Sequence, residues 1–442
     1  MASLADRQLG AARAIIPLIA EHLKGDLSIR LWNGEVLPLG EGARSDLCIT
    51  IKSPNTARRL MTKPGLMTVF ELFASGDIGV VGGSPVDAAD RLEHQNVVRL
   101  AKRVDKWKLA RLAWPFLLAR EPTAEQLAAY DTSRVAHAFE GGRDDKALID
   151  FHYNVSNAFY AMFLDREMVY STGYFPQPDA SLDEAQRVKL DLICRKLQLA
   201  PGHHLLDIGC GWGGLAVHAA VHFGATVHGV TLSQAQHDYA TEKVARLGLQ
   251  DRIRIELRDY RSVTGSAVYD AIAQVEMFEH VGIDNHEVHF DHIRRLLKPQ
   301  GMHFHQATVR RVDRDIAEFR RVRPTMEVIT RYIFPGGELD YIGLTVTNLG
   351  RLGFEVQDVE NMREHYRLTL RQWAHRLYAN MEPASKEIGV SRARMWLLYL
   401  TLFAHGFKLG YVLCYQVVAS RGDLTQSRMP LTRDHLKVTA SA

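Results

Sequence analysis

Cysteine is scarce in this sequence: Cys48, Cys194, Cys210 and Cys414 are scattered without a CxxC pair. That spacing argues against a disulfide framework and a structural zinc site, and it favours reduced thiols. No metal centre is expected. Apolar runs of roughly 18 residues are also lacking, so no membrane-spanning helix is expected. Neither sign of charge dominates. The formal net charge is +3, too mild to imply nucleic acid, so any basic partner surface must be local. Internal repeats and low-complexity tracts are absent as well. The opening MASLADRQLGAARAIIPLIAEHL lacks the basic start and long apolar core of a signal peptide, and a cytoplasmic location is expected.

What remains is the balance of a soluble globular protein, with 442 residues, enough for two or three domains. Residues 1–95 read as a small α+β domain. An amphipathic helix around Ile15, Ile16, Leu18 and Ile19 precedes a hairpin, LSIRLWNGEVLPLG, with Asn-Gly at its turn. The strand DLCITI, a Ser-capped helix from SPNTARRLM and the glycine-rich GDIGVVGG follow. Residues 96–149 form a basic helix and a charged linker. Its cations Arg99, Lys102, Arg103, Lys106, Lys108 and Arg111 are interleaved with Trp107, Leu109, Leu112, Trp114 and Phe116. That segment reads either as a connecting helix packed on the protein or as a membrane-surface helix.

From residue 150 to about 425 strands and helices alternate. HLLDIG, TVHGVTL, RIRIELRD and YDAIAQVEM are strands, and the segments between them read as helices, which predicts an α/β domain with a mostly parallel sheet covered on both faces. Residues 426–442 are a tail. In such sheets ligands bind beyond the carboxyl ends of the strands. LDIGCGWGG ends the first strand, and Gly209, Gly211 and Gly213 let a ligand approach the backbone. A dinucleotide site would place an acid at the end of the next strand, where this chain has Thr231. Asp207, just before the glycines, suits a cofactor carrying a cation. S-adenosylmethionine is such a cofactor, and Asp259 and Tyr260 at the end of the third strand lie where its adenine would rest.

Taken in order, FHYNVSNAFYAMFLDREMVYSTGYF, LDIGCGWGGLA, GVTLSQAQ, QVEMFEHVG, YIFPGGELD and HYRLTLRQWAHRL resemble the cyclopropane fatty acid synthase family of S-adenosylmethionine-dependent methyltransferases. The resemblance spans roughly residues 150–420 and implies a Rossmann-like class I methyltransferase domain. Residues 1–90 resemble the N-terminal domain of the bacterial members that act on phospholipids. For the cofactor it implies Tyr170, Ser171, Asp207, Gly209, Gly211, Gly213, Thr231, Gln236, Asp259 and Tyr260. It implies methyl transfer to a cis double bond of an acyl chain, a homodimer, and peripheral contact with the inner face of the cell membrane. Aromatic faces would suit the developing positive charge. Phe175, Phe278, Tyr332, Phe334 and Tyr366 are candidates, or else ordinary core aromatics.

The family's ring closure uses a bicarbonate ion as base, and the resemblance places its pocket here. Glu279 and Tyr366 match the family, and His280 adjoins Glu279 in the same motif. The family's cysteine, histidine and isoleucine are replaced by Thr172, Gln306 and Thr308. His303 and His305 should face away from Gln306, because strand side chains alternate, unless a bulge intervenes. Two products follow. If threonine and glutamine still hold the anion, the product is a cyclopropane. If the base is weakened or moved, the product is a methyl-branched unsaturated chain, and the three replacements favour this reading. Two other classes stay open: a methyltransferase of another substrate, and a lipid-binding relative without catalysis.

Overall fold

The computed structural model describes residues 3–23, 25–92, 105–118, 155–312, 319, 327, 330, 333–334, 336–422 and 429–436. They belong to two compact units, one drawn from 1–133, 322–333 and 374–405, the other from 134–321, 334–373 and 406–442.

In the first unit, the helix Leu4–Leu23 buries Ala11, Ala12, Ile15 and Ile16 on one stripe. The predicted hairpin is β1 (Ser28–Arg30) paired antiparallel with β2 (Val36–Pro38). Gly34 takes φ 89° between them, a conformation that favours glycine at this turn. With β3 (Cys48–Ile51) and β4 (Ile78–Val81) they form a four-stranded sheet of order β2-β1-β3-β4. Ser53 caps the helix Pro54–Thr62 by accepting the Thr56 N–H at 3.1 Å. Arg394, on the helix Val390–Leu409, donates to the carbonyls of Phe73 (2.6 Å) and Ile78 (2.8 Å).

The basic segment divides by face. From Lys106 to Leu118 it is a short α-helix running into a 3₁₀ turn. Leu109, Leu112 and Phe116 pack into the first unit's core. Trp107 and Trp114 point outward, 88% and 63% exposed. The reading of a helix packed on the protein describes its inner face.

The second unit is built on seven strands: β5 (His204–Ile208), β6 (Thr226–Thr231), β7 (Ile253–Leu257), β8 (Tyr269–Val275), β9 (Leu297–Arg310), β10 (Phe354–Asn361) and β11 (Val412–Arg421). Their order is β10-β11-β9-β8-β5-β6-β7. β5 to β9 are parallel, and β10 and β11 add an antiparallel edge. Strand residues alternate between two cores. Leu205, Ala271 and Ala273 face helices Leu182–Lys196 and Gly214–Phe223, while Leu206 and Ile272 face helices His286–Leu296 and Ile342–Arg351. Because β5 leads on to β6 at one side and β8 to β9 at the other, their carboxyl ends open a crevice at the sheet's switch point. No helix among the described residues is long and apolar enough to cross a membrane.

Candidate active site

A cavity of about 430 Å³ lies at the carboxyl ends of β5, β6, β7 and β8. Tyr170, Ser171, Asp207, Gly209, Gly211, Thr231, Gln236, Asp259 and Tyr260 line it, as does His280. Gly213 stands one step back, as the left-handed N-cap of the helix Gly214–Phe223. Gly209 has φ 76°, and a Cβ there would lie 3.1 Å from the side chain of Met277. The glycine is therefore required by both conformation and space.

Asp207 is 2% exposed, and burial pushes its carboxyl up to about 7 against the pull of Lys189. Its Oδ2 is buried without a hydrogen-bond partner. A ligand ammonium would satisfy that oxygen and restore the charge, so the site fits S-adenosylmethionine. Thr231 donates to Gln236 at 2.8 Å, fixing the end of β6. Asp259 is paired with Arg261 at 2.5 Å, and the Tyr260 hydroxyl meets His289 Nδ1 at 2.8 Å.

Behind the cofactor residues lies a second group of polar side chains. Glu276, the first residue past β8, lines the cavity and has φ 53°, a rare conformation for a residue with a Cβ. Its Oε1 accepts the Thr172 N–H at 2.9 Å and the Gln306 amide at 2.6 Å. The Tyr366 hydroxyl donates to the same carboxylate. Glu279 accepts the Thr308 N–H at 2.7 Å, and its other oxygen is buried without a partner. Burial, reinforced by the charge of Glu276, pushes Glu279 up to about 8, so it carries its proton at neutral pH. Lys189, 1% exposed, donates to Ser171 Oγ at 2.7 Å and is lowered to about 8 by burial, against the attraction of Glu276, Asp165 and Asp207.

The model of the mycolic acid cyclopropane synthetase family matches residues 142–417. The chain belongs to this family. As a member it is an S-adenosylmethionine-dependent methyltransferase. It is 32% identical over 410 residues to a probable fatty acid methyltransferase of Pseudomonas putida, covering 92% of this chain and 94% of that one. It is 35% identical over 272 residues to the cyclopropane-fatty-acyl-phospholipid synthase of Escherichia coli, covering 61% and 67%. Among solved structures, mycolic acid cyclopropane synthase CmaA1 complexed with SAH and CTAB superposes with TM-score 0.58 at 31% identity, covering 62% of this chain and 98% of that one.

Within this cyclopropane synthetase scaffold, the bicarbonate expectation meets a correction. Thr172, Gln306 and Tyr366 do converge, but on the carboxylate of Glu276. Each already gives a donor to Glu276, and a second anion would face that charge. The residues present do not fit bicarbonate. The register of β9 against β11 runs unbroken from Met302 to Arg310, so no bulge turns His305 round. His305 bonds Gln274 on the opposite face from Gln306, and His303 bonds the Ile272 carbonyl.

The aromatic candidates separate. Phe278 is buried among Phe290, His286 and His289, and Phe175 packs with Ala180, Ala185 and Leu368. Both are core residues, because their strand-end and loop positions turn them inward. Phe334 lies 6.0 Å from His280 between ring centroids, and Tyr366 packs on Phe407 at 4.5 Å. Tyr332 lies outside the described residues. Rings absent from the sequence reading instead pack around Tyr170: Tyr160, Trp212 and Trp373 are buried, with Trp212 4.9 Å from Tyr160 and Trp373 5.1 Å from Tyr170.

Glu276, Lys189 and Trp373 are the residues that sequence reasoning missed. Two signals existed. Glu276 is an acid directly after a parallel strand, where ligands bind. Lys189 and Lys196 fall on the same helical stripe as Ala185, Leu192 and Ile193, where a lysine is out of place.

Proposed function

We propose that this protein methylates the cis double bond of unsaturated acyl chains in membrane phospholipids and yields a methyl-branched, still unsaturated chain. The observation that carries this reading is a cofactor cavity whose wall combines the rings of Tyr170 and Trp212 with the carboxyl group of Glu276, with the buried carboxyl of Glu279 close behind it in sequence. A poorly nucleophilic alkene needs such a wall, which keeps water out and suits a passing cation.

When bound, S-adenosylmethionine would supply an electrophilic methyl group, and an alkene that takes it up is left with positive charge on the acyl chain. The protein's work is to hold and to exclude. Asp207 and the glycine loop would anchor the cofactor's amino acid end, Thr231 and Gln236 its ribose, and Asp259 with Tyr260 its adenine. Tyr170 and Trp212, which line the cavity, would present ring faces to the acyl chain, and the buried Trp373 would back Tyr170. Replacements at 172, 306 and 308 favour loss of the proton from the chain over ring closure.

Access to a bilayer substrate would come from Trp107 and Trp114 beside Lys108 and Arg111, exposed on a segment whose other face is anchored. Incubating the protein with vesicles of cis-monounsaturated phospholipid and S-adenosylmethionine, then analysing the acyl esters by mass spectrometry with ozonolysis, tests the reading. An ester heavier by one methylene with its double bond retained is expected. A saturated cyclopropane as sole product would overturn the product, and unchanged lipid would overturn the substrate.

A further inference from the structure

We propose that Glu276 is the base of this reaction, a carboxylate built into the chain where the resemblance places an anion taken from solution. The inference rests on the acyl-methylation reading. It is carried by where Glu276 stands, how it is held, and the direction in which its partners must donate.

Glu276 lines the cofactor cavity at the carboxyl end of β8. Its backbone is held at φ 53°, a left-handed conformation that is strained for a residue with a Cβ. The conformation is fixed from both sides: its N–H donates to the Gln306 carbonyl at 2.7 Å, and its carboxylate takes the donors of Thr172, Gln306 and Tyr366.

The amide orientations follow from a group that can only donate. Lys196 Nζ, buried and shared with Asp358 at 3.0 Å and Glu360 at 2.5 Å, donates to Gln416 Oε1 at 2.9 Å. Gln416 must then offer its amide hydrogens onward, and they reach Gln306 Oε1 at 2.8 Å. Gln306 in turn has its own amide hydrogens left for Glu276. A lysine ammonium has no lone pair, so the whole row is polarised one way and ends on an acceptor. Burial raises the Glu276 carboxyl above its ordinary value, as a base needs, while these donors and the buried Lys189 favour its charged form.

The step balances. After methyl transfer a C–H bond next to the cationic carbon breaks and its electron pair forms the new double bond. The proton passes to a Glu276 oxygen, giving the neutral acid, which returns it to water after product leaves. No further reactant is needed.

The full-length protein, loaded with S-adenosylhomocysteine, is titrated with ¹³C-bicarbonate and followed by NMR. The wild type is expected to show no binding. Glu276→Gly, which frees the Thr172, Gln306 and Tyr366 donors and suits the left-handed backbone, is expected to bind it. In the lipid assay Glu276→Gln should lose about 100-fold or more in rate while its S-adenosylhomocysteine affinity stays within about threefold. Glu276→Gly should recover activity with added bicarbonate or formate, and the wild type should be indifferent to carbon dioxide removal. Bicarbonate bound by the wild type, no anion bound by Glu276→Gly, or a Glu276→Gln rate near wild type would each overturn the proposal. If the wild type methylates no lipid, the acyl reading fails, and the titrations still decide whether Glu276 fills the anion's place.

Discussion

Asp207 carries two opposing demands. Its carboxyl has no partner for one oxygen in a site that burial has raised to about 7, against an ordinary 3.8. Between those values the folded chain keeps a proton that the unfolded chain gives up, so this group's contribution to stability falls as pH rises from about 3.8 to about 7. Asp207→Asn removes the titration. Without cofactor, the variant's melting temperature should decline less than the wild type's between pH 5 and pH 8, while calorimetry should find its S-adenosylhomocysteine affinity reduced by at least about tenfold. An unchanged pH difference in melting would contradict the buried-acid account. Asp207 and its glycines were legible in the sequence because their chemistry is local: an acid, a strand end and a loop that must lack Cβ atoms. Glu276 was not. Its role depends on a backbone angle and on Gln306 and Gln416, which are 110 residues apart and meet only through sheet pairing.

At the scale of elements, β9 shows how one strand serves two environments. Gln306 and Thr308 face the polar group of the site, while His303 and His305 enter the core on the other face. Alternation alone placed them correctly, since side-chain period is a property of the strand and needs no tertiary knowledge. What alternation could not reveal is the cost of those histidines. Burial lowers His303 to about 4, and it lowers His305 and His289 well below their ordinary value of 6.5. For a histidine kept neutral in the fold, the unfolded chain binds more protons below pH 6.5, so stability is lost as pH falls from about 6.5 towards about 4. His303→Leu should therefore narrow the difference in urea midpoint between pH 5 and pH 7. An equal difference in variant and wild type would show that His303 is not the group responsible. The segment Lys106–Leu118 was likewise half legible: its composition displayed cations and tryptophans, but only packing assigned Leu109, Leu112 and Phe116 inward.

For the whole molecule, the proposal joins a membrane-facing segment in one unit to a cofactor cavity in the other. Trp107→Ala with Trp114→Ala should weaken sedimentation with anionic vesicles by about tenfold or more, and wild-type binding should fall as salt rises. Binding that ignores both changes would remove this segment from the account. The family was readable from the order of its motifs, because they recur as whole phrases along about 270 residues. The product was not, because it turns on which proton leaves.

That question has a direct measurement. With S-adenosylmethionine carrying a trideuterated methyl group, the acyl product formed on phospholipid vesicles can be weighed by mass spectrometry. Loss of the proton from the chain, with Glu276 as its acceptor, predicts that all three deuterium atoms are retained. A product retaining only two would show that the new methyl itself is deprotonated, and would contradict the account.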